Sequence, residues 1–148
     1  MTKIKTREKD IDKISGKRKT EAKCYENLAF SFQYLTTAKK HSFDYFQKDV
    51  RKSHDNYKEL YKKLQEISSV RWVSFLGRPK ENGVEYIPVS NLQVRTNLPV
   101  DEKLTKDEKV ISIRYGRQDY RIIGKQRSGC SIFYILAFDF DFSAYPHG

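Results

Sequence analysis

The sequence predicts an α+β domain: an antiparallel β-meander of about four strands packed by a helical hairpin, behind a disordered basic tail. Three observations carry this. Residues 110–139 are rich in Val, Ile, Tyr and Phe and are broken twice by short Gly-containing stretches, the pattern of consecutive hairpins. Residues 43–67 place apolar side chains at three-to-four spacing, as an amphipathic helix does. Residues 1–23 are polar and charged, with Ile4, Ile11 and Ile14 as their large apolar residues, too few to offset the entropy of ordering.

The chain has 148 residues, enough for one domain with a real core, and ten Tyr and nine Phe to fill it. Residues 24–148 are therefore read as a single domain. The tail before it holds nine Lys/Arg against four Asp/Glu. Its run Lys17, Arg18, Lys19 suits a phosphate backbone; a solvated leader with no further role has the same composition.

Within the domain, residues 27–35 alternate Phe30, Phe32 and Tyr34 with Ala29, Ser31 and Gln33, which predicts a half-buried strand. Ser42 is placed to cap the helix that follows. The stripe of that helix is Phe43, Phe46, Val50, Tyr57, Leu60, Tyr61, Leu64 and Ile67. Ser53 and His54 interrupt it, as at a cleft or at a packed edge with a satisfied histidine. Ser68 and Ser69 stop the helix, and either can cap a second one over 70–76, ended by Gly77, with Val70, Val73 and Leu76 on one face and Trp72 beside them.

Residues 77–108 read as an irregular insertion. Pro79, Pro88 and Pro99 argue against helix, and Glu81-Asn82-Gly83 suits a type I′ turn. Val84–Val89 and Leu92–Val94 read as short edge strands. The meander strands are then 110–115, 119–127 and 131–139. The last is apolar on both faces and is expected at the centre of the sheet.

The net charge of +10 favours RNA, DNA or an acidic protein as partner, although lysine also serves simply to keep a surface soluble. No run of about 18 apolar residues and no secretory leader is visible, so no membrane contact is expected. Cys24 and Cys130 lack any paired spacing and read as reduced thiols of a cytoplasmic protein. No phosphate-cradling Gly loop, no nucleophile elbow and no metal-ligand spacing among His41, His54 and His147 is present, so neither cofactor nor metal is expected. Asp139 and Asp141 share a strand face, where they suit a cation, acid–base work or a soluble strand end.

What remains is cationic chemistry. Arg121, Lys125 and Arg127 recur at period two along one strand face, and Arg114 from the strand before can join them. Such a row can hold a phosphate, with Tyr145 or His147 to carry a proton. A solvent-facing strand with no special role would look the same.

The order strand, long helix, short helix, three-stranded meander resembles the RelE/ParE-like toxin superfamily. The segment Asp119-Tyr120-Arg121-Ile122-Ile123, followed by a turn and Phe133-Tyr134-Ile135-Leu136-Ala137-Phe138, is similar to its middle and last strands. The resemblance implies a small basic toxin of a toxin–antitoxin or mobile-element system, neutralised by an acidic antitoxin. It would act on RNA or the ribosome as a metal-independent endoribonuclease, or on gyrase as ParE-like members do. By position, Arg121 matches the family's middle-strand arginine and Tyr145 its C-terminal tyrosine, so Arg121, Tyr145 and His147 become the catalytic candidates. Where RNA-cutting members carry an arginine after the last strand, this chain has Asp139 and Asp141. A non-catalytic nucleic-acid-binding protein, or an interaction module with an acidic partner, accounts for the same charge.

Overall fold

The computed structural model describes residues 27–77, 83–117, 119–127 and 131–147. The expected tail, with Lys17, Arg18 and Lys19, lies outside the described residues, as do both cysteines and Glu81 and Asn82 of the expected type I′ turn.

Among the described residues, five strands form one sheet: β1 (Ala29–Ser31), β2 (Val84–Pro88), β3 (Lys109–Tyr115), β4 (Tyr120–Gln126) and β5 (Ile132–Asp139). Their order is β1-β5-β4-β3-β2. The meander β3–β4–β5 is antiparallel, and β2 joins it antiparallel to β3. β1, however, runs parallel to β5. The sheet is therefore mixed and five-stranded, not antiparallel and four-stranded. Parallel pairing needs a long crossover, and about a hundred residues between β1 and β5 supply it. β4, not β5, holds the middle position, although β5 is buried on both faces from Phe133 onward.

The helical layer also departs from expectation. Residues Phe43–Phe46 form a separate 3₁₀ turn, capped by the Ser42 hydroxyl accepting from the Asp44 N–H. The long helix α1 (Val50–Ser69) starts afresh, where the Asp49 carboxylate accepts from the Lys52 N–H at 3.0 Å. A capping side chain that satisfies the first amides fixes a helix start more firmly than apolar periodicity does. The buried face of α1 is Asn56, Leu60 and Ile67, while Val50, Tyr57 and Tyr61 of the expected stripe are exposed. Asn56 can be buried because the Tyr115 hydroxyl donates to its Oδ1. Ser68 and Ser69 donate back to the carbonyls of Leu64 and Gln65 and cap nothing. The short helix α2 (Trp72–Leu76) buries Trp72 and Phe75 and exposes Val73, and the indole N–H donates to Gln126 at 2.6 Å.

The sheet has a core on each face. On the helical face, Leu60, Ile67, Trp72 and Phe75 pack on Ile111, Ile113, Tyr115, Ile122, Phe133, Ile135 and Phe138. On the other face, Val94 and Leu98 of the 89–108 segment pack with Val110, Ile123, Leu136 and Tyr145. Residues 77–108 thus supply β2 and the cover of the second face, and Leu92–Val94 is not a strand.

One irregularity decides where side chains point. Ile123 pairs with Ala137, but Gly124 pairs with Ile135. Leu136 and Ala137 consequently both face the second core, and the alternation of β5 changes phase there. Asp139 becomes the direct partner of Arg121 on the second face, while Phe138 stays on the helical face. Gly124 permits this: a Cβ there would lie 2.4 Å from the Phe133 ring and from the Tyr134 carbonyl oxygen.

Candidate functional site at the end of the sheet

Arg114, Arg121 and Asp139 stand side by side on β3, β4 and β5, at the end of the sheet where β4 begins and β5 stops. Two arginines directly opposite each other repel, so this end of the sheet needs anions. Asp139 is one, with 1% of its side chain exposed. Its Oδ1 accepts from the Ser143 N–H at 3.0 Å, and its Oδ2 accepts from the Ala144 N–H at 3.3 Å. The carboxylate therefore folds the chain after β5 into a turn that lies back over the second face. The Ala144 carbonyl anchors that turn by accepting from the Gln93 N–H at 2.7 Å.

The turn brings the expected residues together. His147 Nε2 lies 3.0 Å from Asp139 Oδ2. A carboxylate accepts, so Nε2 carries a proton toward Asp139. The His147 ring packs on Tyr145 with centroids 4.1 Å apart and meets Phe142 edge-on at 5.1 Å. Tyr145 is buried, its hydroxyl 2.9 Å from Ser112 Oγ and donating to Glu85 Oε2 at 3.3 Å. Burial pushes the Tyr145 phenol above its ordinary pKa. Ser112 and the Arg121 guanidinium pull it down and Glu85 pushes it further up, so the hydroxyl stays protonated at neutral pH.

Arg121 is itself buried. It donates to the Asp119 carbonyl oxygen and lies 5.5 Å from the centre of the Phe142 ring. Arg114 is the accessible cation, with 40% of its side chain exposed. Its Nε is buried without a hydrogen-bond partner, the nearest carboxylate being Asp119 at 3.7 Å. The remaining guanidinium N–H groups, on the exposed part of the side chain, are the ones an outside acceptor can reach.

The rest of the basic row is placed differently. Lys125 lies 3.0 Å from Glu108 and Arg127 lies 3.4 Å from Glu102, both acids on the segment that covers the second face. The Thr105 N–H, and then Lys125, hold the Glu108 carboxyl below its ordinary pKa. These two cations fasten the cover to the sheet, apart from the Arg114–Arg121–Asp139 cluster. Asp141 points elsewhere, to Ser143 and, at 3.5 Å, Lys40. Asp139 is therefore separated from Asp141, with which the sequence pairs it, and is joined instead by Ser112, Glu85 and Phe142, which carry no sequence signal because the phase change in β5 has none beyond Gly124.

Among the described residues, no three His, Cys, Asp or Glu side chains gather into a metal-binding group, and no helix is long and apolar enough to cross a membrane. Compared with known proteins, the chain matches no family model, no curated protein and no solved structure.

Proposed function

We propose that the chain is a toxin-like protein acting on RNA, as its resemblance to the RelE/ParE-like superfamily implies, and that the cluster around Asp139 cleaves a phosphodiester bond. The supporting observation is proximity: His147 reaches the buried Asp139 carboxylate, Tyr145 stacks on His147, and Arg121 is the strand neighbour of Asp139. In this mechanism Arg114 holds a non-bridging phosphate oxygen and neutralises charge that builds on the phosphate. His147 Nδ1 takes the proton of a ribose 2′-hydroxyl as that oxygen attacks phosphorus, and Asp139 stabilises the resulting imidazolium. The P–O5′ bond breaks, water protonates the leaving oxygen, and a 2′,3′-cyclic phosphate and a 5′-hydroxyl result. Arg121 and Tyr145 act beneath, as positioning residues for the imidazole and the turn.

An open basic row awaiting an acidic partner or a phosphate backbone has less support, because Lys125 and Arg127 already meet Glu108 and Glu102. The test is induced expression in bacteria, following growth and mRNA integrity together. Arrest with mRNA cleavage is expected, and His147→Ala or Arg114→Ala should lower cleavage about a hundredfold or more while the protein stays folded. Arrest with intact mRNA would move the target to gyrase or elsewhere. A folded His147→Ala that cleaves normally would remove the site assignment, and no arrest at all would remove the toxin.

A further inference from the structure

A second concave feature lies on the helical side of the same end of the molecule. The first half of α1, the β3–β4 turn and the chain after β5 enclose an open groove of about 720 Å³, large enough for a nucleotide. One wall is aromatic. Tyr45 and Phe142 are both exposed in it, and the Tyr45 ring lies 5.1 Å from Phe140 behind it. The other wall is cationic. Lys58 and Arg117 have no ion-pair partner among the described residues. Lys62 is 3.3 Å from Glu59 and Lys52 is 3.9 Å from Asp49, both on the surface. The groove acids, Asp55 and Glu59, leave the cations in excess.

Phe142 connects the groove to the cluster described above. It is half exposed and holds a left-handed backbone, φ 60°, which a bulky residue seldom adopts. Its ring touches His147 and Arg121 as well as lining the groove. Strain of this kind persists where the surrounding structure imposes it, and it gathers at ligand sites.

We propose that this groove is a nucleobase-stacking site for single-stranded nucleic acid. Bases stack on Tyr45 and Phe142, and phosphates follow Lys58 and Arg117. The inference rests on the proposed function only for the direction of the strand, which continues past Phe142 toward His147. An acidic protein would satisfy the cations and leave the aromatic wall in water, whereas a nucleotide satisfies both. A duplex hides its base faces, so it is excluded. No groove side chain is needed to read a 2′-hydroxyl, so single-stranded DNA binds as well as RNA.

The probe is an eight-nucleotide single-stranded DNA carrying 2-aminopurine, compared with the same sequence in a duplex, with the full chain. DNA offers no 2′-hydroxyl to the proposed cleavage, so binding is read alone. Wild type should quench the aminopurine and bind the single strand at least about tenfold more tightly than the duplex. Phe142→Ala should weaken binding about five- to a hundredfold and abolish the quenching. Phe142→Gly, whose backbone suits a positive φ, should do the same without strain. Lys58→Glu with Arg117→Glu should weaken binding and flatten its salt dependence. Equal affinity for duplex, unchanged quenching in both Phe142 variants, or displacement by poly-glutamate at equal charge would each overturn the proposal. DNA binding with no RNA cleavage would leave the groove standing and remove the nuclease. Cleavage with no stacking would do the reverse.

Discussion

Asp139 carries an unusual share of the structure for one side chain. Its two oxygens accept from Ser143, Ala144 and His147, with almost none of the side chain in water. Hydrogen bonds to a charged acceptor are worth about 1.5–3 kcal/mol each, and a buried group that loses its partner costs more than the bond gave. Asp139→Asn keeps the shape but turns one acceptor into a donor facing donors. It should lower unfolding stability by about 2–3 kcal/mol, read as a lower urea midpoint at unchanged slope. An unchanged midpoint would mean that the turn is held by Tyr145 and Ala144 in the second core and not by the carboxylate. The same chemistry accounts for burial of the Tyr145 hydroxyl, since Ser112 and Glu85 meet it from neighbouring strands.

At the scale of elements, β5 and its bulge matter most. The phase change at Leu136 and Ala137 puts Asp139 opposite Arg121, and it depends on the close approach of Gly124 to Phe133 and Tyr134. Gly124→Ala would place a methyl against a fully buried ring and a backbone oxygen, neither free to move away. A cost of about 3 kcal/mol or more is expected, together with loss of the site, because the alternative is a register that turns Asp139 to the helical face. Comparison of thermal melting for Gly124→Ala and wild type checks this; an equal melting temperature would show that the strand pair relaxes freely. The three meander strands were legible from sequence to within a residue at each end, because their β-rich runs are punctuated by glycine turns. The bulge was not, since strict alternation cannot reveal a slipped phase. Nor was the parallel β1: three residues contain no information about the direction of a distant partner. Helix α1 was legible as a helix but not in its rotation. Asn56 outranks Val50, Tyr57 and Tyr61 for burial only because Tyr115, far along the chain, donates to it. The site residues themselves were readable as types, Arg, Tyr and His near a strand end, but their convergence depends on the turn that Asp139 organises.

The described residues form a sheet between two cores, and the chain after β5 belongs to both. Phe140 packs on the helical side beside Phe46 and Phe138, while Ala144 and Tyr145 pack on the other side with Val94 and Leu98. Scaffold and candidate chemistry separate only at the last residues. A chain stopped after Asp139 loses apolar contacts on both faces and uncovers the ends of β3, β4 and β5. Losing three buried side chains of this kind costs several kcal/mol, comparable to the whole stability of a domain this size, so that chain should not fold cooperatively. A chain stopped after Tyr145 loses only Pro146, His147 and Gly148. Asp139 still accepts from two backbone amides there, and Tyr145 still reaches Ser112 and Glu85. That chain should melt within a few degrees of wild type, given that a loss of about 1 kcal/mol shifts a domain of this length by roughly 2–8 °C. It should nevertheless have lost RNA cleavage by the same factor as His147→Ala. Melting and cleavage measured on the two truncations distinguish the roles: a stable but inactive longer chain fits a catalytic His147 on a finished scaffold. A longer chain that is fully active would show that the imidazole only decorates the turn.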